Sequence, residues 1–445
     1  MFFIPGEHAL MFIVLIFALT GWGMGVVPQP IVSLAIIIYI ALLGLSPFSE
    51  SLMGYGQPFV WLLVSTFVLA AAFETTGLGR RIALVLLQRV KGNLRLSVFF
   101  VLITLVILSF LIPTAAGRTA LIIPVCIGLI QVIERKQKAD YLAKNLLLGV
   151  ALTSSFMSWA IITGSSSSIY AVSMIELMTD FEWTYFHWFL VHFPLSILLV
   201  VVLWLVLHGM FPTEEEADAE GREYIDAQLH SLGKMNTGEW KILFVGLLTL
   251  LGWMTEQYHG FSVPMMAMIA AVISCVPVIG VQTWKNAAEH IEWDVIILFG
   301  AAYTLADVLQ KNGTASWLAV QIGQVLPDVP PLGAGLLMIS FVTLFRLGFA
   351  NMLGITAVVL PMAISLSQVW GVNPVWLAQL VIIACSFCYF LPVQSPSNLI
   401  TFASGYFSEK DLLKTGVVMI TIVIPATLLF AFLYWPLVGL NPVDQ

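Results

Sequence analysis

Phe110 to Pro124 reads FLIPTAAGRTALIIP, an apolar run that breaks at Pro113, passes through small residues and Arg118, and resumes as apolar helix. Phe345 to Pro361, FRLGFANMLGITAVVLP, repeats the plan. Each puts a helix interruption and an arginine inside hydrophobic sequence. At membrane depth, backbone outside helical geometry is tolerated only where it is buried in protein or lines a cavity. An arginine there costs about 2.5–3.5 kcal/mol on insertion scales and is rarely left unpaired. The two stretches read as the halves of one binding site.

Working outward, the chain has 445 residues, 60% hydrophobic and 10% charged, with a mean hydropathy of +0.97. Soluble domains are about 25% charged, so this is an all-α polytopic membrane protein. The net charge of -7 is concentrated in one loop, and no basic, aromatic-interleaved patch points to nucleic acid. Cys126, Cys275, Cys385 and Cys388 all lie in apolar segments and read as buried hydrophobes. The CxxC formed by Cys385 and Cys388 lacks a βαβ context. The N-terminus has no basic region or small-residue cleavage site, so Phe12 to Trp22 reads as a retained first span. No HExxH, GxSxG or Walker motif supports an enzyme, and no cofactor is expected beyond sodium ions.

Apolar windows of about the 20 residues a span requires fall near 9–27, 30–46, 57–76, 145–173, 187–209, 240–257, 261–280, 293–310, 375–405 and 414–438. That makes about 10 transmembrane helices beside two re-entrant hairpins near 96–131 and 332–370. GSSSS at 164–168 and QSPSN at 394–398 interrupt two of the windows, which read as broken helices.

The sequence repeats itself. VLAAAFETTGLGRRIA at 68–83 lies over TLADVLQKNGTASWLA at 304–319, an offset of 236 (304 minus 68), with Leu69, Ala70, Gly77 and Ala83 matched by Leu305, Ala306, Gly313 and Ala319. The prolines Pro124 and Pro361 follow at 237, and GSSSS precedes QSPSN by 230. Residues 1–210 and 240–445 are two copies of one unit, joined by 211–239. Five spans and one hairpin per copy force the second to be inverted. Loop charge agrees: Arg80, Arg81, Arg89, Lys91 and Arg95 precede the first hairpin and Arg135, Lys136, Lys138 and Lys144 follow it, whereas only Lys311 flanks the second. By the positive-inside rule the loops at 80–95 and 134–144 are cytoplasmic, in a plasma (inner) membrane protein. The connector, with acids from Glu214 to Glu239, reads as a solvated cytoplasmic linker. Residues 79–92 and 281–292 read as helices along the membrane interface. Inverted repeats with interrupted helices at the midplane are transporter architecture.

A helix that starts inside the membrane offers unpaired N–H groups and about half a positive charge, a ready anion site. The second arms of the hairpins are expected to start near Thr119 and near Ile355. Arg118 and Arg346 favour an anion; the competing reading satisfies them with protein groups, Arg346 with Asp307 or Asp294. Glu74 is expected to pair with the basic residues at 80–81 and Asp307 with Lys311. His187 and His192 read as interfacial packing.

Phe390 to Gly416, FLPVQSPSNLITFASGYFSEKDLLKTG, and the architecture over nearly the whole chain resemble the divalent anion/sodium symporter family. The resemblance implies that the hairpin tips and broken helices hold substrate and sodium. In the family each tip carries Ser-Asn-Thr; here the tips read Thr114-Ala115-Ala116 and Asn351-Met352-Leu353. Pro113 to Arg118 is similar to the tip of the family's exchanger branch, which works without sodium, and Arg118 falls on that branch's arginine. The implied substrate residues are Thr114, Ala115, Ala116, Arg118, Ser166, Ser167, Asn351, Met352, Ser395, Pro396, Ser397 and Asn398. The implied sodium ligands are Thr114, Gly164, Ser165, Asn351 and Ser395. The resemblance further implies a homodimer in the lipid bilayer, working as an elevator.

The leading expectation is a secondary transporter of a small anion, a di- or tricarboxylate, exchanging without sodium and using Arg118. Sodium-coupled symport with backbone-built cation sites is the alternative. More distant readings are an ion antiporter or arsenite-type permease and, from a different class, a non-transporting receptor or scaffold.

Overall fold

The computed structural model describes residues 6–443 apart from 91, 113, 136–138, 214–218 and 327–328. The break assigned to Pro113, the charges of Lys91, Lys136 and Lys138, and the acids Glu214, Glu215, Glu216 and Asp218 lie outside the described residues. Regular structure is helical. Among the described residues, seven helices have the length and hydropathy of membrane spans: Pro58–Thr76, Ala115–Glu134, Tyr185–Met210, Trp293–Lys311, Pro331–Gly348, Met352–Trp370 and Glu409–Leu433. Shorter apolar helices add His8–Gly23, Gln29–Leu42, Leu94–Ser109, Val263–Cys275 and Pro374–Cys385.

The repeat is visible at the bends. Pro58–Thr76 ends on Gly77 and Trp293–Lys311 is followed by Gly313, with φ of 73° and 71°. A left-handed residue reverses the chain there, and only glycine adopts that geometry without strain. Short helices follow both, Leu78–Gln88 and Thr314–Val325, and then the two hairpins: Leu94–Ser109 with Ala115–Glu134, and Pro331–Phe345 with Met352–Trp370. The two long windows are broken helices, Asp140–Ala160 with Ser166–Thr179, and Pro374–Cys385 with Pro396–Phe402.

Indole N–H groups tie neighbouring segments to the long helices: Trp376 donates to the Ala431 carbonyl at 3.0 Å and Trp435 to that of Val191 at 3.1 Å. His192 packs inside the protein. It is fully buried, its Nε2 lies 2.8 Å from Gln379 Oε1, and Trp159, Trp188 and Trp435 surround its ring. His187 Nε2 sits 2.8 Å from the Val438 carbonyl.

The connector is more than a solvated linker. Ala219–Leu232 is a helix laid on Leu78–Gln88: Arg80 donates to Gln228 Oε1 at 2.6 Å and Gln88 to Asp226 Oδ1 at 2.8 Å. Arg81 donates to Glu239 Oε1 at 2.6 Å and to the Gly233 carbonyl at 2.8 Å. Arg81 thus turns to Glu239, in the first turn of Thr237–Met254, and Glu74 faces His290 at 3.8 Å instead. Lys311 pairs with Asp307 at 2.7 Å, as the four-residue spacing requires.

Candidate functional site

The two hairpin tips cap their second arms with the same backbone geometry and different residues. Thr114 (φ -110°, ψ 132°) and Asn351 (φ -111°, ψ 130°) are extended residues that cap the second arms. Thr114 Oγ1 accepts from the Gly117 N–H at 3.1 Å, and Asn351 Oδ1 from the Leu353 N–H at 2.7 Å. The second arms therefore begin at Ala115 and Met352, about a turn before Thr119 and Ile355. A hydroxyl or amide oxygen that satisfies an orphan N–H lets a helix start wherever such a cap stands.

The broken helices are built the same way. After a single 3-10 turn, Ile162–Gly164 or Pro392–Gln394, an extended serine starts the second half. Ser165 Oγ accepts from the Ser168 N–H at 3.2 Å, and Ser395 Oγ from the Asn398 N–H at 3.1 Å. Ser165 and Ser168 hydroxyls both donate to the Ser158 carbonyl, at 2.9 and 2.7 Å, returning a partner to backbone that the break had orphaned. Gly164 allows this: a Cβ there would lie 2.3 Å from the Met157 carbonyl oxygen.

Four helices thus start around one cavity of about 180 Å³. Thr114, Asn351, Ser165 and Ser395 line it, with Ala115, Ala116, Met352, Ser166, Ser167, Pro396 and Ser397 from the first turns. Further lining comes from Leu63, Thr66 and Phe67 of Pro58–Thr76, with Glu292 and Val295 at the start of Trp293–Lys311. The sequence reading missed this wall and Ser155, Ser158 and Cys388. The serines carried a signal, two hydroxyls three residues apart on one helix face; the apolar wall carried none. Asn398 and Gly164 are not on the wall. Asn398 is fully buried and donates to the Cys388 carbonyl at 2.6 Å.

Neither arginine lines the cavity; both are fully buried behind it. Arg118 Nη1 donates to the Ile112 carbonyl at 2.8 Å, and Nη1 and Nη2 reach that of Gly164 at 3.2 and 3.3 Å. Arg346 donates to the carbonyls of Phe349 and Gln394, to that of Cys385 at 3.0 Å and to Cys388 Sγ at 3.0 Å. Asp307 and Asp294 are not its partners. The carbonyls correspond: Ile112 and Phe349 each stand two residues before a tip cap, and Gly164 and Gln394 immediately before a serine cap. Each guanidinium bridges a hairpin tip to the end of a half-helix. No carboxylate pairs with either arginine among the described residues.

Residues 3–441 match the family profile described as the sodium:sulfate symporter transmembrane region. The chain is 25% identical over 412 residues to the sodium-dependent dicarboxylate transporter SdcS of Staphylococcus saprophyticus, covering 87% of this chain and 78% of that one. It is 22% identical over 398 residues to a citrate/succinate antiporter of Escherichia coli, covering 87% and 80%. Its fold is similar to that of the YdaH transporter of Alcanivorax borkumensis, with a TM-score of 0.62 at 14% identity over 98% of this chain and 100% of that one. The Neisseria gonorrhoeae efflux pump MtrF superposes with a TM-score of 0.60 at 13% identity, over 97% and 96%.

Proposed function

The chain belongs to the sodium:sulfate symporter transmembrane family, a family of transporters and not enzymes, and from that premise we propose that it exchanges small di- or tricarboxylates through the cavity between its hairpin tips. The observation that carries this is the convergence of four capped helix N-termini on that cavity. Their N–H groups and dipoles favour an anion. The cavity is small beside the roughly 300–1,000 Å³ taken by drug-sized ligands, which suits a short acid.

Exchange without sodium is supported by the arginines. In broken-helix transporters, sodium is held by unwound carbonyls and half-helix C-terminal ends. Here such carbonyls, Ile112, Gly164, Phe349 and Gln394, already accept from guanidinium groups. At the sodium-ligand set inferred from the sequence this counts against a free cation, since a guanidinium already holds the Gly164 carbonyl and the Ser165 hydroxyl is turned to Ser158. Arg118 and Arg346 act as tethered cations behind the site. A buried charge without a carboxylate partner is costly, and a bound anion lowers that cost.

We further read the copies as inverted, with the basic loops at 80–95 and 134–144 and the linker 211–239 cytoplasmic, and the protein as a homodimer of elevator type in the plasma membrane. The charge asymmetry across the hairpins supports the orientation.

The test is counterflow in proteoliposomes. Labelled succinate or citrate is expected to enter only vesicles preloaded with unlabelled anion, equally in sodium and in choline. Uptake into empty vesicles that required sodium would favour the symport reading instead.

A further inference from the structure

Glu292 is the one carboxylate on the cavity wall, and no lysine, arginine or histidine joins it there among the described residues. It immediately precedes Trp293–Lys311, is exposed, and lines the same cavity as the four helix starts. An anion site does not need a carboxylate: ionised, it repels the ligand that the helix N-termini attract. Protonated, it becomes a neutral donor able to hydrogen-bond a carboxylate or sulfate oxygen.

Resting on the transporter reading above, we propose that Glu292 is the proton-coupling and selectivity residue of this site, so that each anion binds together with a proton on the Glu292 carboxyl. The surroundings favour the protonated form. Although the residue keeps an exposed edge, partial desolvation by the surrounding protein, with Asp294 beside it, raises the carboxyl above the ordinary carboxylate range. Among the described residues no lysine, arginine or histidine lines the cavity with it, Arg118 and Arg346 being turned to backbone carbonyls and Cys388. Pro58–Thr76 contributes Glu74, which faces His290 at 3.8 Å, and the short helix Trp284–Glu289 adds Lys285 and Glu289. Ser166–Thr179 offers Tyr170 and Glu176, Gln29–Leu42 offers Tyr39, and Met53–Gly56 offers Tyr55, bonded to the Ile297 carbonyl at 3.1 Å. Met352–Trp370 and Thr314–Val325 carry no charged residue. The Cys388 thiol, also on the wall, is engaged by Arg346.

The sign follows. A carboxyl with a raised pKa is neutral at low pH, where the anion binds well, and ionises as pH climbs through that pKa, where binding weakens. One unit charge across a small cavity, at an effective dielectric constant of about 20, is enough for a difference of tenfold or more.

The experiment compares wild type with Glu292→Gln, which fixes a neutral side chain, using succinate, citrate and sulfate as probes. For each probe the wild-type Kd is divided by the variant Kd at the same pH, so that titration of the ligand cancels. The ratio is expected to be smallest at the acid end of a series from about pH 5 to about pH 8.5 and to rise, by about tenfold or more, toward its alkaline end. Glu292→Asp retains the pH dependence, and proton uptake on binding, read in weak buffer, is present in wild type and Asp and absent in Gln. A ratio that does not change with pH overturns the proposal, as does unchanged proton uptake in Glu292→Gln. A flat ratio with loss of sodium-dependent stabilisation in Glu292→Gln overturns it in favour of a cation ligand. If wild type binds none of the three probes at any pH, the transporter reading fails, and the proton proposal with it.

Discussion

Replacing Arg118 by alanine tests whether the arginines stand where sodium would. The change removes three hydrogen bonds from a charged donor and leaves the Ile112 and Gly164 carbonyls buried without that partner. Hydrogen bonds to charged groups contribute about 1.5–3 kcal/mol each, so two orphaned carbonyls correspond to a loss of about 3–6 kcal/mol. The same carbonyls then form a vacant cradle between a hairpin tip and a half-helix end. A cation that enters it at 100 times its dissociation constant returns about 2.7 kcal/mol, roughly half of what was lost. The assay is thermal unfolding of purified wild type and Arg118→Ala in matched sodium and choline salts. Wild type is expected to unfold at the same temperature in both; the variant unfolds earlier in choline and recovers part of the difference in sodium alone. Sodium stabilisation of wild type equal to that of the variant would refute the reasoning, because it would put the cation site somewhere the guanidinium does not occupy.

Gly164→Ala forces a Cβ to within 2.3 Å of the Met157 carbonyl and 2.9 Å of that of Ser158; the turn that presents Ser165 must shift, and anion-dependent thermal stabilisation is expected to disappear. Thr114→Val and Asn351→Leu each remove a helix cap, at a cost of about 1 kcal/mol, and both are expected to weaken succinate binding measured by calorimetry; unchanged affinity in both would separate the tips from the site. At Gly128 a Cβ would meet the Tyr224 hydroxyl at 1.8 Å, so Gly128→Ala is expected to lift the 219–232 helix and speed proteolysis within 211–239, with Tyr224→Ala restoring the packing space.

The fold was legible because its signals are local. A proline, a glycine or a run of small polar residues inside an apolar window marks a break wherever the rest of the chain goes, and Gly77 and Gly313 fall at the predicted repeat distance with matching φ. The cavity was legible in the same way at its caps: Thr114, Asn351, Ser165 and Ser395 were all expected there. The arginine partners were not legible. Arg118 reaches a carbonyl 46 residues away, and a carbonyl belongs to every residue, so no side chain announces it. The docked 219–232 helix was hidden for a related reason: Asp226 and Gln228 belong to a connector that reads as solvated until the fold brings them against Gln88 and Arg80. Glu292 escaped notice because an acid at the edge of an apolar window is ordinarily a helix-end charge.

The two arginines come from places the repeat does not relate. Laid on each other at the offset of 237, Arg118 falls on Ile355 and Arg346 on Ser109. What the copies share is the pair of carbonyls each guanidinium satisfies, Ile112 with Gly164 and Phe349 with Gln394. Unwinding a helix at a tip and a half-helix end creates the same unmet acceptors twice, and any cation within reach can meet them. Two positions that converge on equivalent acceptors point to demand by the backbone, not descent of a residue from one copy to the other. On the proposed reading this also explains obligatory exchange. A dissolved sodium ion leaves with the substrate, whereas a tethered guanidinium stays, so an empty site retains a buried positive charge that is costly to move across the bilayer until another anion neutralises it.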